Sequence, residues 1–130
     1  VETTYQIASL GSEQIAILVR ERSINATLEA ALNQVLAQKA VVAGFESQKA
    51  IREEESKRIY DDQQRLRENM KALKGSAEEK ALLQRYTKQL NDQENRLEQL
   101  TKEVQELASK QDAAQAELDR MIQSMAFDTK

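Results

Sequence analysis

The second half of the chain carries hydrophobic residues at alternating steps of three and four. Because an α-helix has about 3.6 residues per turn, this spacing places every member of the series on one helix face. Such a stripe, sustained over many turns, is typical of a helix that packs in a coiled coil. We therefore predict a long helix whose seam contains Leu83, Tyr86, Leu90, Gln93, Leu97, Leu100, Val104, Leu107, Gln111, Ala114, Leu118, Met121 and Met125.

The first half carries the same kind of seam, with a poor stretch in its middle. In that stretch the heptad frame falls on Ser56, Arg52 and Lys49, whereas the apolar Ile51 lies out of frame. We interpret this stretch as a discontinuity in the heptad, which would locally unwind the supercoil. On either side of it the seam consists of Leu73, Met70, Leu66, Gln63 and Ile59, and of Phe45, Val42, Val35, Ala31 and Leu28.

A short junction separates the two seams. Gly75 can supply the left-handed conformation that often follows a helix, and Ser76 with Glu79 forms a capping-box pattern for the next helix. A junction this short requires the second helix to turn back along the first. The prediction is a mainly α fold, a long antiparallel two-helix coiled-coil hairpin, with helices at about residues 24–74 and 76–126.

Residues 1–23 show a different pattern, in which β-branched and aromatic residues alternate with polar or small ones. Tyr5 begins the alternation, a turn-like segment around Gly11 interrupts it, and Ile15 resumes it. Period-two alternation of this kind predicts a short N-terminal β-hairpin. A helix over residues 13–22 is the alternative, because a short apolar run fits both structures.

Matching the two seams predicts how the helices face each other. When the numbers of facing residues sum to 156, Gln63 lies opposite Gln93 and Leu66 lies opposite Leu90. Both polar seam residues then share one layer. This favours the register over a slip of one heptad, because an unpaired buried amide loses its hydration. A register with a sum near 152 stays open.

Composition narrows the possible functions. The sequence has no histidine and no cysteine, which removes the commonest general base, the thiol nucleophile and the soft metal ligands. A formal net charge of −3 argues against a general nucleic-acid surface. No apolar run approaches the roughly 18 residues that a membrane span needs. We therefore expect no enzyme activity, no cofactor, no metal, no nucleic-acid partner and no membrane insertion.

Two basic residues in the seam are candidates for interaction. Lys49 and Arg52 stand where hydrophobic residues are expected, although charged side chains at such positions often bury only their aliphatic stems and keep the charged group in water. The functional interpretation is a hinge or a docking surface for another element. We keep both interpretations.

The end of the second helix supplies the other candidates. Met121, Met125 and Phe127 form a hydrophobic group there, and methionine-rich helix ends often bind partners adaptably. The plainer interpretation is that they pack against Leu28 and Leu32 at the start of the first helix. Either way, we expect these residues to lie at the end of the hairpin opposite the turn.

The run from Asp62 to Met70, followed by Arg85 and Tyr86 and later by Leu90 and Glu94, resembles the C-terminal region of the mucoidy inhibitor A-like family, a bacterial family of unknown function. The resemblance implies a β-rich domain that ends in strands and leads into a helical hairpin. Residues 1–23 would then be the remnant of that upstream β-domain, and residues 24–127 the hairpin. The resemblance supplies no catalytic residues.

The functional expectation is a non-enzymatic coiled-coil arm of a larger bacterial protein, acting as a spacer or as a protein–protein interaction element. Val1 in place of an initiator methionine fits a segment of a longer chain. One alternative is a homo-oligomerisation module that forms a four-helix bundle. Another is an accessory arm of an enzyme whose active site lies in the upstream β-domain. The sequence does not choose between a cytoplasmic and a periplasmic location.

Overall fold

Two long helices make up the part of the chain that the computed structural model describes, residues 26–128. Helix α1 spans Ala26–Lys71 and helix α2 spans Ala77–Asp128. They pack against each other in antiparallel orientation, which confirms the predicted helical hairpin. The predicted N-terminal β-hairpin, residues 1–23, lies outside the described residues.

The turn begins earlier than the sequence suggested. Helix α1 ends at Lys71 and not at Lys74, because the last backbone bonds tighten to a three-residue spacing: the Leu73 amide donates to the Met70 carbonyl at 3.2 Å. The Lys74 amide then turns away from the helix and donates to Glu79 Oε2 at 2.7 Å. Gly75 follows with a φ of 93°, the left-handed conformation expected of it.

The predicted capping box at the start of α2 is confirmed. The Glu79 amide donates to Ser76 Oγ at 3.1 Å, and the Ser76 amide donates to Glu79 Oε1 at 3.1 Å. The Lys80 amide donates to the Ser76 carbonyl at 2.9 Å, which is the first helical bond of α2. In the turn as a whole, the backbone N–H groups of Lys74, Ser76 and Glu79 are hydrogen-bonded to the side chains of Ser76 and Glu79.

The hairpin forms two compact units. The turn unit comprises Gln48–Leu107, and the terminal unit comprises the described residues up to Ser47 together with those from Ala108 onward. The core of the terminal unit is a buried cluster that partly buried side chains surround. Its buried members are Leu32, Val35, Leu118, Ile122 and Met125, and its partly buried members are Leu28, Ala31, Leu36, Val42 and Met121.

The cluster of the terminal unit is wider than a two-residue seam. Leu32 is 3% exposed and Ile122 is 6% exposed, although neither belongs to the predicted stripe. Each follows a seam residue directly, so each helix contributes a third buried position per heptad here. The packing of Met121 and Met125 against Leu28 and Leu32 agrees with the plainer interpretation of the methionines.

The turn unit keeps the heptad frame through the poor stretch. Lys49, Arg52 and Ser56 are all partly buried, whereas Ile51 is 65% exposed. The predicted discontinuity is therefore wrong in one respect, because the inward-facing residues follow the original frame. The physical reason is that the seams on both sides share that frame, and one isoleucine cannot rotate a continuous helix. The core residues of this unit are Leu66, Leu97, Leu100, Leu107 and Gln63.

Candidate interaction surfaces

A polar layer fixes how the helices face each other in the turn unit. Gln63, which is 1% exposed, donates from Nε2 to Glu94 Oε1 at 3.0 Å. Gln93 donates from Nε2 to Asp62 Oδ2 at 2.6 Å. The two glutamines thus share a layer, as the register with a sum of 156 predicts, but each amide binds a carboxylate adjacent to the other glutamine. A register shifted by four residues would break both bonds.

The carboxylate of Asp62 has a second partner. Arg65 Nε donates to Asp62 Oδ1 at 2.9 Å, and this bond together with the one from Gln93 holds the pKa of Asp62 below its usual range. The layer is not fully paired, because Gln93 Oε1 is buried without a hydrogen-bond partner among the described residues. An unpaired buried acceptor costs free energy, so this layer contributes more to register than to stability.

An ion network lies beside the polar layer. Arg96 binds Glu55 on α1 through two bonds, Nε to Oε2 at 2.6 Å and Nη2 to Oε1 at 2.9 Å. Its third nitrogen, Nη1, lies 3.4 Å from Glu103 Oε2, and Arg52 Nε lies 3.6 Å from Glu103 Oε1. The hydrogen bond from Arg96 lowers the pKa of Glu55, and the same bond raises the pKa of Arg96.

Arg52 belongs to this network and does not project into solvent. Besides its approach to Glu103, its Nη1 donates to the Gln48 carbonyl at 3.2 Å. Its Nε is buried and lacks a hydrogen bond within the described residues, so Arg52 is the weakly held member of the network. Lys49 is partly buried on the same seam and makes no ion pair with any described residue. Of the two basic candidates, only Lys49 keeps its charge unpaired.

The network residues Glu55, Arg96 and Glu103 did not appear among the sequence candidates, although a signal for them existed. With Ser56 and Gln63 as heptad position a, Glu55 occupies position g, and Arg96 and Glu103 occupy position g of α2. In an antiparallel pair the g positions of both helices border the same side of the seam. Opposite charges at those positions are the usual interhelical ion pairs of coiled coils.

A groove opens on the other side of the seam in the turn unit. Its volume is about 380 Å³, and its lining residues are Glu53, Ser56, Leu100, Thr101, Val104 and Gln105. A small residue, Ser56, occupies the seam position at this groove, where Leu100 and Val104 of α2 also line it. Two lining hydroxyls donate to backbone carbonyls of their own helices, Ser56 to Arg52 at 3.1 Å and Thr101 to Leu97 at 3.0 Å. Each of these hydroxyl groups therefore already donates its hydrogen within its own helix.

A second groove lies in the terminal unit, where two of the predicted interaction candidates meet. Its volume is about 350 Å³, and its lining residues are Ala31, Gln34, Glu117, Arg120, Met121, Ser124 and Met125. Arg120 Nε donates to Glu117 Oε2 at 3.0 Å on its rim. Met125 is buried and Met121 is half-buried. The side chain of Phe127, the remaining candidate, is outside the described part of the structure.

Among the side chains that the structure describes, no three of histidine, cysteine, aspartate or glutamate converge as a metal site would require. Neither described helix is long and apolar enough to cross a membrane.

Comparison with models of protein families, with curated proteins and with solved structures gives no match. The resemblance to the mucoidy inhibitor A-like family therefore stays a prediction.

Proposed function

We propose that this chain is a non-enzymatic coiled-coil arm of a larger protein, and that it acts by binding another protein. The proposal rests on a difference in burial and pairing between the inner and the outer residues of the hairpin. All predicted seam residues except Leu83, which is 38% exposed, are buried or partly buried, and the flanking charges Glu55 and Arg96 pair with each other. Large apolar side chains off the seam remain outside. Ile51 is 65% exposed and Tyr60 is 59% exposed.

The inner contacts make the hairpin suitable as a binding arm. The two glutamine–carboxylate bonds of the polar layer, the Arg96–Glu55 pair and the capped turn all favour one register, so the outer residues occupy fixed positions along each helix. Binding a partner then requires little further ordering of this surface, and pre-ordered surfaces bind at a smaller entropic cost. The methionine-lined groove of the terminal unit adds an adaptable apolar surface.

Photo-crosslinking tests the proposal. A photoreactive residue replaces Ile51 in one variant and Met121 in another, and Lys102, whose side chain is 71% exposed, carries it in the control. Each variant is irradiated in an extract of the cells from which the sequence comes. We expect one discrete product at Ile51 or Met121 that saturates and that unlabelled chain suppresses, with none at Lys102.

The outcomes separate the alternatives. A product of a second protein supports a binding arm, and a product of twice the mass of the chain supports a homo-oligomerisation module. A spacer would give no saturable product at any position. In that case, shortening both helices by one matched heptad should impair the larger protein, while exchanging the exposed residues should not.

A further inference from the structure

The two sides of the seam in the turn unit differ in how their charges are paired. On the side of heptad positions g, Arg96 pairs with both Glu55 and Glu103. On the side of positions e, Glu53 and Arg67 are exposed and make no ion pair with any residue of the described chain. The groove opens on this second side, which we call the e flank: Glu53, Tyr60 and Arg67 on α1, and Thr87, Glu94 and Thr101 on α2.

The e flank has a self-complementary order. Glu53, Tyr60 and Arg67 follow one another at seven-residue intervals, so they lie on one face of α1 and span about 21 Å. An acidic residue stands at one end, an exposed aromatic residue in the middle and a basic residue at the other end. An antiparallel copy of the same helix face therefore presents its basic end to the acidic end of the first copy, and its tyrosine to the tyrosine.

We propose that a second copy of this chain docks on the e flank, with α1 antiparallel to α1 of its partner about a two-fold axis at Tyr60. Glu53 of each copy then faces Arg67 of the other copy, and the two Tyr60 side chains pack against each other at the axis. This inference goes beyond the proposed function and does not rest on it, because it assigns the e flank to a second copy of the chain and leaves the surfaces at Ile51 and Met121 to another protein.

Two further features of the flank fit this arrangement. The apolar floor of the groove, Leu100 and Val104, lies at the level of Glu53, where the aliphatic stem of the incoming arginine would cover it. The arrangement is unfavourable at Glu94, because the Glu94 carboxylates of the two copies would face each other near the axis. Its carboxylate accepts a bond from Gln63 at 3.0 Å, which offsets part of that repulsion.

Charge reversal followed by charge exchange tests the proposal on the full 130-residue chain. Sedimentation velocity over a concentration series measures self-association of the wild type, of Glu53→Arg, and of the double variant Glu53→Arg/Arg67→Glu. Asp92→Arg is the control, because it changes the net charge equally at an exposed site, heptad position c of α2, on the face away from the e flank. Helicity, measured by circular dichroism, shows whether each variant is folded.

We expect the wild type to dimerise weakly and more weakly at high salt. Glu53→Arg should weaken the dimer by roughly tenfold or more, since it places like charges opposite each other. The double variant should restore it, Asp92→Arg should leave it unchanged, and Glu94→Gln should strengthen it. A monomeric wild type overturns the inference, as does a folded double variant that does not recover. If the chain is monomeric but crosslinks a different protein, the inference fails while the proposed function stands.

Discussion

Arg96 on α2 holds Glu55 on α1 by two hydrogen bonds, at 2.6 and 2.9 Å, and it approaches Glu103 one heptad away on its own helix. A single arginine thus joins the two helices at a defined register. A planar guanidinium that binds a carboxylate through two nitrogens specifies both distance and orientation, which an ammonium group does not.

The first prediction concerns that geometry. Arg96→Lys keeps the charge but loses the two-point contact with Glu55, so it should lower the melting temperature. The control is Lys102→Ala, which removes an exposed pair with Glu98 whose atoms lie 3.8 Å apart. Such pairs contribute little, so Lys102→Ala should change the melting temperature less. Equal shifts in the two variants would contradict a register role for Arg96.

The second prediction concerns the two described glycines. Gly75 has a φ of 93°, and a Cβ there meets nothing within 4 Å, so Gly75→Ala should destabilise by about 1 kcal/mol through backbone strain alone. Gly44 lies inside α1, again with nothing within 4 Å of an added Cβ. Gly44→Ala should therefore stabilise by about 0.5–1 kcal/mol. Urea unfolding measures both, and shifts of the same sign would mean that the turn has another conformation.

The third prediction concerns the capping box. Ser76→Ala removes the acceptor for the Glu79 amide and should cost about 1 kcal/mol of unfolding free energy. Ser76→Asp should retain most of the wild-type unfolding free energy, since aspartate is also a good N-cap. Unfolding in urea gives both values. An alanine variant as stable as the aspartate variant would show that the cap does not stabilise α2.

The fourth prediction concerns acid. The pKa of Glu79 is lowered by hydrogen bonds from the amides of Lys74 and Ser76, and then by the Ser76 hydroxyl, while that of Glu55 is lowered by Arg96. A carboxyl whose pKa is lower in the folded state stabilises above its ordinary pKa, here 4.5, and that contribution is lost as the pH falls through the folded value.

Stability should therefore decrease as the pH falls below about 4.5. Glu79→Gln should make this decrease shallower, because one titrating group is removed. Gln84→Ala, at an exposed position of the same helix, is the control for the substitution itself, because it removes no carboxyl group. Urea unfolding between about pH 2 and pH 6 measures the slopes. The same slope in Glu79→Gln as in the wild type would contradict the role of the Glu79 carboxylate.

Much of the fold follows from the sequence, because it depends on local rules. The three–four spacing of Leu97, Leu100 and Val104 defines the seam, and the serine–glutamate pair defines the start of α2. Where α1 ends was harder to predict. It depends on the second oxygen of Glu79, which takes the Lys74 amide out of the helix.

The interaction candidates were predicted less well, for a reason of geometry. Arg52 was chosen because it stands in the seam, but its role depends on Glu103, whose proximity requires the register and the side-chain direction together. Ile51 suggested a break in the seam, whereas the structure leaves it exposed. A single apolar residue does not reveal whether the chain buries it or presents it to a partner.

The most direct test of the account is one distance in the turn unit. Nitroxide labels at Arg58 and Glu98, both exposed, occupy positions whose numbers sum to 156. Diluting the labelled chain with unlabelled chain restricts pulsed dipolar spectroscopy to distances within one molecule. The hairpin predicts roughly 20–25 Å, from helix axes about 8–10 Å apart plus the two label arms. A distance near 60 Å, which 40 residues of continuous helix would give at about 1.5 Å per residue, would contradict it.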